Sequence, residues 1–474
     1  AVSFSRERAP PRLRFLRWAS PRQLVFAPTE HHNGVRAIAP IYAVNRDGTE
    51  PKTLAEADDF ALLDGAIDEA PRTIERRTSI RGFVGGDRGT LLVEALGKPT
   101  FPPATVVPTT LFAIDLATGK LRTVTEEIDD GRFLYDQKGT ARLLYSHPRL
   151  SRTRTFRAST GGAWSRWVAA GEPIFGPVAR SFPVTVSNYY DERAFPLGFD
   201  MNPNILYYAS NVGRDTYGVY AIDLSTRQPT DLALEEPHVD LVGLEPVDAS
   251  SALVFDEATG RLAGVRATGL APFTRWVDRE LAQMQVELNG KFPRRTVEIL
   301  QWSDERSRFL LRISGGVEPG RYQVYLRPEK VMVELLRRAP WLRNADLHAG
   351  AAFEFDSPGG VHLTGHLTLP RKARLNPPPL LIDFSDGLMG RPLADFDPDA
   401  QAFAEMGFIV ARVNHRGGEG SGVKHRSALH AGIDRVPVDD ALAVIEWIAR
   451  RHGIDRRRIA TVGPQYEGRV DDAA

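Results

Sequence analysis

A short strand that runs into an acidic turn recurs along the first two-thirds of the chain. Copies of this unit reach Asp115, Asp223 and Asp256, where an apolar or alternating run gives way to a polar turn. Aspartate bonds the backbone ahead of it and glycine supplies a positive φ, so that a second strand can return after the turn. The units recur at roughly 40–55 residues, which is the length of a four-stranded propeller blade. We therefore expect a β-propeller of about six to seven blades, with a β-sandwich pair as the alternative fold.

The pattern changes near residue 350 to strands that alternate with helices. Three buried strands are predicted, at residues 380–384, 408–413 and 459–462. Helices are predicted between them, at about 398–406 and from near Pro437 to Gly453. This order is typical of a mostly parallel α/β sheet, and it places the carboxyl ends of the three strands at one edge. We therefore predict a propeller over residues 1–345 and an α/β domain over residues 346–474.

Composition excludes several classes of function. Sixty basic residues balance sixty acidic residues, so there is no basic excess to support a nucleic-acid partner. Cysteine is absent, which excludes disulfides, thiolate metal sites and a cysteine nucleophile. No apolar run reaches the ~18 residues of a membrane span, and no signal-peptide core follows the arginine-rich start. We expect a soluble protein without a membrane partner, cytoplasmic or exported with its signal removed.

The segment from Thr461 to Gly468 has the setting of a nucleophile elbow, in which a strand of an α/β-hydrolase runs into Gly-x-Ser-x-Gly. Its residues depart from that motif, because Gln465 occupies the serine position and Glu467 the second glycine. A carboxamide is not a nucleophile. The negative charge of Glu467 would also disfavour an oxyanion beside it.

From residue 296 onward the chain resembles the prolyl oligopeptidase family of serine peptidases, in its dipeptidyl-peptidase and acylaminoacyl-peptidase branch. The most specific stretch is Asn-His-Arg-Gly-Gly-Glu-Gly-Ser-Gly at residues 414–422, which is similar to the family's Asn-Tyr-Arg-Gly-Ser-x-Gly-Tyr-Gly loop. Other segments that carry the resemblance lie at residues 302–305, 319–322, 365–370, 396–401, 439–440 and 454–459. The resemblance implies a propeller that caps an α/β-hydrolase domain, with the active site in the cavity between them.

The resemblance also implies a reaction, the hydrolysis of short peptides by serine acylation, with no cofactor and no metal. Gln465 then stands at the nucleophile position, and the backbone N–H of Tyr466 and the loop at Ser385 hold the oxyanion. Asp386 departs from the family's pattern in that loop and opposes such a charge. The family's acid and histidine lie downstream of the elbow and have no counterpart in this chain.

We therefore expect an α/β-hydrolase domain that is incomplete at its C-terminus and a polypeptide that is inactive as written. The alternative is a non-catalytic protein in which the propeller and the partial hydrolase domain serve binding or scaffolding. Short peptides are the expected substrates or ligands in either case, and the chain can form an oligomer.

The remaining candidate residues have structural interpretations. His362 and His366 are four residues apart on a strand, but they lack a third ligand with suitable spacing for a metal site. The other histidines that we considered are expected at the surface, namely His31, His32, His425 and His430. The glycine run after Arg416 fits no phosphate-binding motif, and Arg416 is expected to brace that loop rather than to bind substrate.

A helix is predicted at about residues 276–288, inside the propeller region. It carries the carboxylates of Asp278, Glu280 and Glu287. Related dipeptidyl peptidases use glutamates on a propeller-borne helix to hold a substrate amine. We expect the carboxylates here to be solvated charges of the helix surface instead.

Overall fold

The structure of the chain is a computed structural model. It describes residues 12–32, 35–37, 40–56, 62–64, 72–74, 77–84, 87–96, 108–129, 131–137, 140–146, 155–160, 163–166, 194–226, 228–243, 252–343, 346–372, 374–384, 390–393, 395–433 and 435–463. Two compact units make up the chain, one of Ala1–Tyr189, Gly198–Leu206 and Leu224–Arg227, and one of Tyr190–Leu197, Tyr207–Asp223 and Gln228–Ala474. The domain boundary predicted at residue 345 stays a prediction.

Antiparallel sheets of consecutive strands follow one another from the start of the described residues. The first contains β1 (Arg12–Trp18), β2 (Gln23–His32), β3 (Val35–Ala37), β4 (Ile41–Asn45) and β5 (Lys52–Ala55). Its order is β1-β2-β4-β5, with β3 paired to β2. A short hairpin of β6 (Leu62–Asp64) and β7 (Arg72–Ile74) follows. The next two sheets contain β8 (Arg77–Val84), β9 (Asp87–Leu96), β10 (Pro108–Asp115) and β11 (Leu121–Asp129), and then β12 (Gly131–Tyr135), β13 (Ala141–Ser146), β14 (Thr155–Thr160) and β15 (Ala163–Arg166).

Three more antiparallel sheets precede the α/β region. The first contains β16 (Ala194–Phe199), β17 (Ile205–Ser210), β18 (Gly218–Asp223) and β19 (Gln228–Leu234). The second has three strands, β20 (Leu253–Phe255), β21 (Leu262–Thr268) and β22 (Pro272–Trp276), and is followed by helix α1 (Arg279–Lys291). The third contains β23 (Thr296–Trp302), β24 (Arg308–Gly315), β25 (Glu318–Leu326) and β26 (Val331–Arg337).

The order of strands within these sheets confirms the propeller predicted from the repeat. Five sheets place four strands in meander order, which is the topology of a propeller blade. A further sheet, β20-β21-β22, has three strands. The described residues therefore hold slightly fewer complete blades than the six to seven that the repeat predicts.

The acidic turns explain why the blade hairpins form where they do. Asp115 and Asp256 each begin an Asp-x-x-Thr-Gly turn. Asp115 Oδ1 accepts hydrogen bonds from the backbone N and the hydroxyl of Thr118, at 2.7 and 2.8 Å. Asp256 Oδ1 accepts the same pair from Thr259, at 2.9 and 3.0 Å. The glycine that closes each turn has a positive φ, 74° at Gly119 and 66° at Gly260, which other residues adopt only with strain.

The α/β region contains the parallel sheet that the sequence predicts. Its elements are β27 (Gly350–Asp356), β28 (His362–Thr368), β29 (Leu380–Asp383), α2 (Pro398–Glu405), β30 (Ile409–Asn414), α3 (Val423–Ser427), a 3₁₀ turn (Ala428–Ala431), α4 (Val436–His452) and β31 (Ile459–Val462). The sheet order is β27-β28-β30-β29-β31. β29 pairs in parallel with β30 on one side and with β31 on the other, which confirms the three predicted neighbours.

Helices cover the two faces of this sheet because its central strands are buried on both. Side chains from α4 pack with Leu380 and Ile382, whereas side chains from α2 pack with Leu381 and Val410. Full burial of one aliphatic side chain such as Ile448 on α4 contributes about 1.5–3 kcal/mol. The alternation along β29 therefore fixes which helix lies on which face.

Helix boundaries follow local signals. Asp397 caps α2, since its Oδ1 accepts a hydrogen bond from Ala400 N at 2.7 Å, and Pro398 takes the first helical position. Gly453 ends α4 in the left-handed conformation, with φ of 60°. Helix α1 begins at Arg279, later than predicted, because Asp278 caps it by accepting from Glu280 N and Leu281 N while Trp276 stays in β22.

Within the described ranges, no helix is long and apolar enough to span a membrane.

Candidate functional site

The carboxyl ends of three parallel strands meet at one edge of the α/β sheet. Asp383 at the end of β29 lies opposite Arg412 of β30 and Val462 of β31. Phe384 N then donates to Val462 O at 2.7 Å, so the segments that leave β29 and β31 stay paired at the ends of these strands. Asn414, the last residue of β30, lies at the same edge, as predicted. Ser385, Gln465 and Tyr466, the predicted site residues, follow these strands along the chain and lie outside the described residues.

Gly463 occupies the place of the first glycine of an elbow, and its surroundings admit no side chain. A Cβ at this position would lie 2.9 Å from Phe384 Cβ and 3.1 Å from the carbonyl carbon and oxygen of Phe384. Two of these neighbours are backbone atoms of the adjacent strand end, which cannot move without disturbing the sheet. Glycine is therefore required for β31 to leave the sheet beside Phe384, which is the close approach that the Gly-x-Ser-x-Gly turn needs.

Arg416 braces the loop after β30, as predicted. Its backbone N donates to Asp440 Oδ2 at 2.7 Å, and its Nε donates to Asp440 Oδ1 at 2.8 Å. Asp440 lies on α4 and is buried. A guanidinium that is hydrogen-bonded to a carboxylate in this way is fixed in both its orientation and its position. The Arg416 side chain is thus committed to α4 and holds the loop against the helix.

His415 lies beside Arg416 and is also buried. Its Nδ1 is 3.0 Å from Arg416 O, and because a carbonyl oxygen only accepts, Nδ1 carries the proton. His425 Nε2 donates to His415 O at 2.9 Å. Burial lowers the pKa of His425 to about 4. The prediction that His425 lies at the surface is therefore wrong, since the glycine-rich loop folds over it. His430 is exposed, as predicted. The side chains of His31 and His32 lie outside the described part of the chain.

The glycine run at residues 417–422 is held by contacts rather than shaped as a phosphate cradle. Gly417, Gly420 and Gly422 have positive φ values of 104°, 85° and 90°. Gly420 O accepts hydrogen bonds from Asp240 N at 2.9 Å and from Arg391 Nη1 at 2.8 Å. The loop is therefore anchored from two other segments of the same unit.

Asp240 is the centre of this anchor. Its Oδ1 accepts from Tyr217 N at 2.8 Å, and its Oδ2 accepts from Arg426 Nη1 at 2.8 Å and from Gly422 N at 3.2 Å. The Asp240 and Arg426 side chains are 2% and 0% exposed. Burial raises the pKa of Asp240, and the Arg426 guanidinium and the two backbone N–H groups oppose that rise. The result is a fully buried ion pair that ties the segment around Tyr217 to the glycine-rich loop.

A cavity of about 590 Å³ lies beside the glycine-rich loop. Its walls come from the segment at residues 240–243, the end of β21, the segment at residues 391–393, and Glu419 with Gly420. The walls combine apolar side chains with the charged side chains of Arg266, Arg391 and Glu419. Ligand sites typically enclose about 300–1,000 Å³, so this volume suits a short peptide segment.

The carboxylates of Asp278 and Glu280 are ion-paired rather than free solvated charges, contrary to the prediction, whereas Glu287 is exposed, as predicted. Arg306 donates to Asp256 at 2.8 Å, to Asp278 at 2.6 Å and to Glu280 at 2.8 Å. Arg327 also contacts Glu280. Glu287 accepts from the Tyr325 hydroxyl at 2.7 Å. Asp278 and Glu280 therefore neutralise Arg306, which the turn between β23 and β24 brings against the start of α1.

This arginine-centred cluster should make stability depend on pH through Asp256. Burial alone would raise the pKa of Asp256, but hydrogen bonds from Arg306, Trp302 and Thr259 outweigh it and hold the pKa at about 2. The unfolded value is about 3.9, so the stabilisation is present above that pH and is lost as pH falls through about 2. Asp256→Asn is expected to reduce the change in unfolding free energy between about pH 5 and pH 2 by about 2 kcal/mol.

The measurement is urea unfolding at several pH values, with Asp304→Asn as the control, because Asp304 is an exposed aspartate in the turn between β23 and β24. Equal pH dependence in the Asp256→Asn variant and the parent chain would contradict the role assigned to this carboxylate.

The two strand histidines have separate environments. His362 is exposed, with Nδ1 2.9 Å from Asp356 Oδ1, and its ring stacks on His238. His366 is buried, and this burial together with the charge of Arg412 lowers its pKa to about 4. No group of three or more histidine, aspartate or glutamate side chains in the described part of the chain could hold a metal ion.

Sequence reasoning missed the residues that anchor the glycine-rich loop from outside it. Asp240 and Arg426 are 186 positions apart, and neither belongs to a motif. Arg391 comes soon after Ser385 in the sequence, but no sequence pattern predicts which residues its side chain contacts. The local signals that identified the elbow therefore found the sheet edge but not the cavity beside the glycine-rich loop.

Comparison with known proteins confirms the resemblance to the prolyl oligopeptidase family. Residues 394–468, from before α2 to the end of the elbow segment, match the family model described as the prolyl oligopeptidase family. The chain is also 23% identical over 367 residues to dipeptidyl aminopeptidase BIII of Pseudoxanthomonas mexicana. That match covers 76% of this chain and 49% of the relative, so the chain spans about half the length of the curated relative it matches.

Solved structures confirm the fold. The chain is similar to a puromycin-hydrolyzing peptidase of Mycobacterium tuberculosis, with a TM-score of 0.59 and 18% identity over 97% of this chain and 68% of that one. It is also similar to the acylaminoacyl peptidase of Pyrococcus horikoshii, with a TM-score of 0.56 and 14% identity over 98% of this chain and 75% of that one. At these identities the likeness establishes a propeller combined with an α/β-hydrolase domain.

Proposed function

We propose that the chain is the propeller and the elbow-bearing part of the hydrolase domain of a prolyl-oligopeptidase-type protein, and that it binds short peptides. Residues 1–345 form the propeller and residues 346–474 the hydrolase part. The observation that carries this proposal is the sheet edge at which Gly463, a glycine that the packing requires, lies against Phe384 and at which β30 ends in Asn414. Peptidase chemistry on this fold is placed at that edge, at the carboxyl ends of the strands.

The chemistry for which this site is shaped is acyl transfer to a serine. A serine at position 465 would attack the peptide carbonyl, and the Tyr466 N–H and the loop at Ser385 would hold the oxyanion. In this chain the position holds Gln465, whose carboxamide cannot form an acyl-enzyme. The polypeptide therefore binds peptides without cleaving them.

A second function, as a non-catalytic binding or scaffold protein, is favoured by the same substitution. Gln465 and Glu467 both replace residues that the elbow requires. The two functions share the peptide site and differ in whether hydrolysis is ever performed. Peptide binding is thus the property that tests both, and cleavage separates them.

The test is calorimetric titration of the 474-residue chain with short peptides, followed by mass spectrometry of the peptides after long incubation. We expect binding without cleavage products. The proposed peptide site includes the 590 Å³ cavity beside the glycine-rich loop, so Ala252→Trp, which places an indole at the wall of that cavity, should weaken binding. Arg457→Gln, at an exposed position, is the control and should leave binding unchanged. Failure of every peptide to bind would reject the proposal, and cleavage would reject the inactivity of the chain.

A further inference from the structure

Arg391 presents a charge to the cavity that no carboxylate of the described residues pairs with. Its Nη1 donates to Thr268 O at 2.9 Å and to Gly420 O at 2.8 Å, both of which are neutral carbonyl groups. Its Nε is enclosed and makes no hydrogen bond. Among the described residues, no aspartate or glutamate lies within ion-pair distance of this guanidinium. An arginine that is partly removed from water without an anion loses solvation that its contacts only partly replace.

The neighbouring charges leave this imbalance in place. Asp240 lies on the same cavity wall, but its carboxylate is bonded to Arg426. Burial lowers the pKa of Arg391, and the more distant charge of Asp240 opposes this effect. Arg266 and Glu419 contribute one charge of each sign to the walls. With Asp240 bonded to Arg426, the lining residues that the structure describes carry one positive charge in excess, and it belongs to Arg391.

An anion in the cavity would complete this arrangement. Nη1 is fixed by two carbonyl oxygens, so the guanidinium plane is held in place before a ligand arrives. Nη2 makes no hydrogen bond to a described residue. A carboxylate that meets Nη2 gains a charge-assisted hydrogen bond and restores neutrality in a partly desolvated site. Leu393, which is half-buried in the same wall, supplies apolar surface beside it for the rest of a short chain.

We propose that the cavity selects peptides that carry a carboxylate, and that Arg391 is the residue that binds it. This inference rests on the proposed function, because it assumes that short peptides occupy the cavity. The carboxylate has two sources, an acidic side chain or the C-terminus of the peptide. Glu419, on the same wall, repels the anion and so favours its position beside Arg391.

The test compares three tetrapeptides by calorimetry with the 474-residue chain. The first is Ala-Ala-Gln-Ala with a C-terminal amide, the second replaces its Gln by Glu, and the third is the Gln peptide with a free C-terminus. We expect at least one carboxylate peptide to bind about 10-fold tighter than the neutral amide, which is the effect of one charge-assisted hydrogen bond. Tighter binding of the second peptide identifies an acidic side chain, and tighter binding of the third identifies the C-terminus.

Arg391→Gln is expected to bring the three peptides to within about 2-fold of one another. Arg391→Lys should keep part of the preference, because the charge remains while the fork that meets both carbonyls is lost. Arg457→Gln, at an exposed arginine of the same unit, should leave the preference unchanged. Since Arg391→Gln also removes two structural hydrogen bonds, the parent chain is additionally titrated at low and high sodium chloride, where the preference should fall as salt rises.

Equal binding of all three peptides by the parent chain would overturn the role of Arg391 while leaving the proposed function intact. A preference that survives Arg391→Gln, or one that salt does not weaken, would overturn it as well. Absence of binding by every peptide would overturn both the proposed function and this inference.

Discussion

The Gln465→Ser variant is expected to remain without hydrolase activity. A serine hydroxyl is a weak nucleophile at neutral pH and needs a positioned base. In the family that this chain resembles, the acid and the histidine follow the elbow, and the 474-residue polypeptide to be tested carries no histidine after Gly468. Glu467 also puts a negative charge at the sequence position of the motif's second glycine. Loss of triad members costs on the order of 10⁴–10⁶ in rate, so residual binding cannot conceal the defect.

The measurement is labelling of the Gln465→Ser variant with a fluorophosphonate probe, together with turnover of aminoacyl anilides. His415 supplies a matched control, because it is a buried imidazole at the same sheet edge whose Nδ1 carries the proton. Stoichiometric labelling at position 465 would show that this chain contains a base. Loss of that labelling in a Gln465→Ser/His415→Ala double variant would then assign the base to His415.

The fold could be predicted from the sequence where its causes are local. The turns at Asp115 and Asp256 hold themselves through bonds to a threonine three residues ahead, and so their pattern is visible in five consecutive residues. The α4 helix shows its start and end in Pro437 and Gly453. The parallel strands follow from apolar runs that alternate with these helices. Each of these signals depends on residues within one element, so it can be read from the sequence without knowing how the other elements pack.

The parts that could not be predicted depend on distant segments that meet only in the folded chain. Glu280 looks like a solvated helix charge until Arg306, 26 positions away, is brought against it. His425 looks like a surface residue until the glycine-rich loop folds back to place His415 O beside its ring. The partners in such contacts are not separated by any regular number of residues. Hydrophobic periodicity and turn motifs in the sequence therefore do not predict them. The elbow was visible as a strand followed by Gly463, but the cavity beside the glycine-rich loop was not.

Loss of the Asp240 carboxylate is expected to produce the largest stability defect of any substitution considered for this chain. Arg426 is 0% exposed and its guanidinium stays charged at any accessible pH, so Asp240→Ala leaves an uncompensated buried cation. Removal of one partner from a buried ion pair typically costs about 3–5 kcal/mol. The backbone N–H groups of Tyr217 and Gly422 lose their acceptor as well. Denaturant unfolding should therefore show a lower midpoint, and peptide binding at the adjoining cavity should weaken.

Two further variants separate the charge from the shape of the site. Asp240→Asn keeps one of the two acceptor oxygens, so its defect reports the lost charge together with one lost acceptor, and it should be smaller than the defect of Asp240→Ala. The Asp240→Ala/Arg426→Met double variant removes both charges and should recover part of the unfolding free energy, because no buried cation is left. The exposed pair of Glu446 and Arg456 provides the control, and Glu446→Ala should leave the midpoint almost unchanged since solvent screens that pair. If Asp240→Ala unfolded at the same midpoint as Glu446→Ala, water would have to reach Arg426 in the folded chain, and the anchor of the glycine-rich loop would lie in its backbone contacts instead.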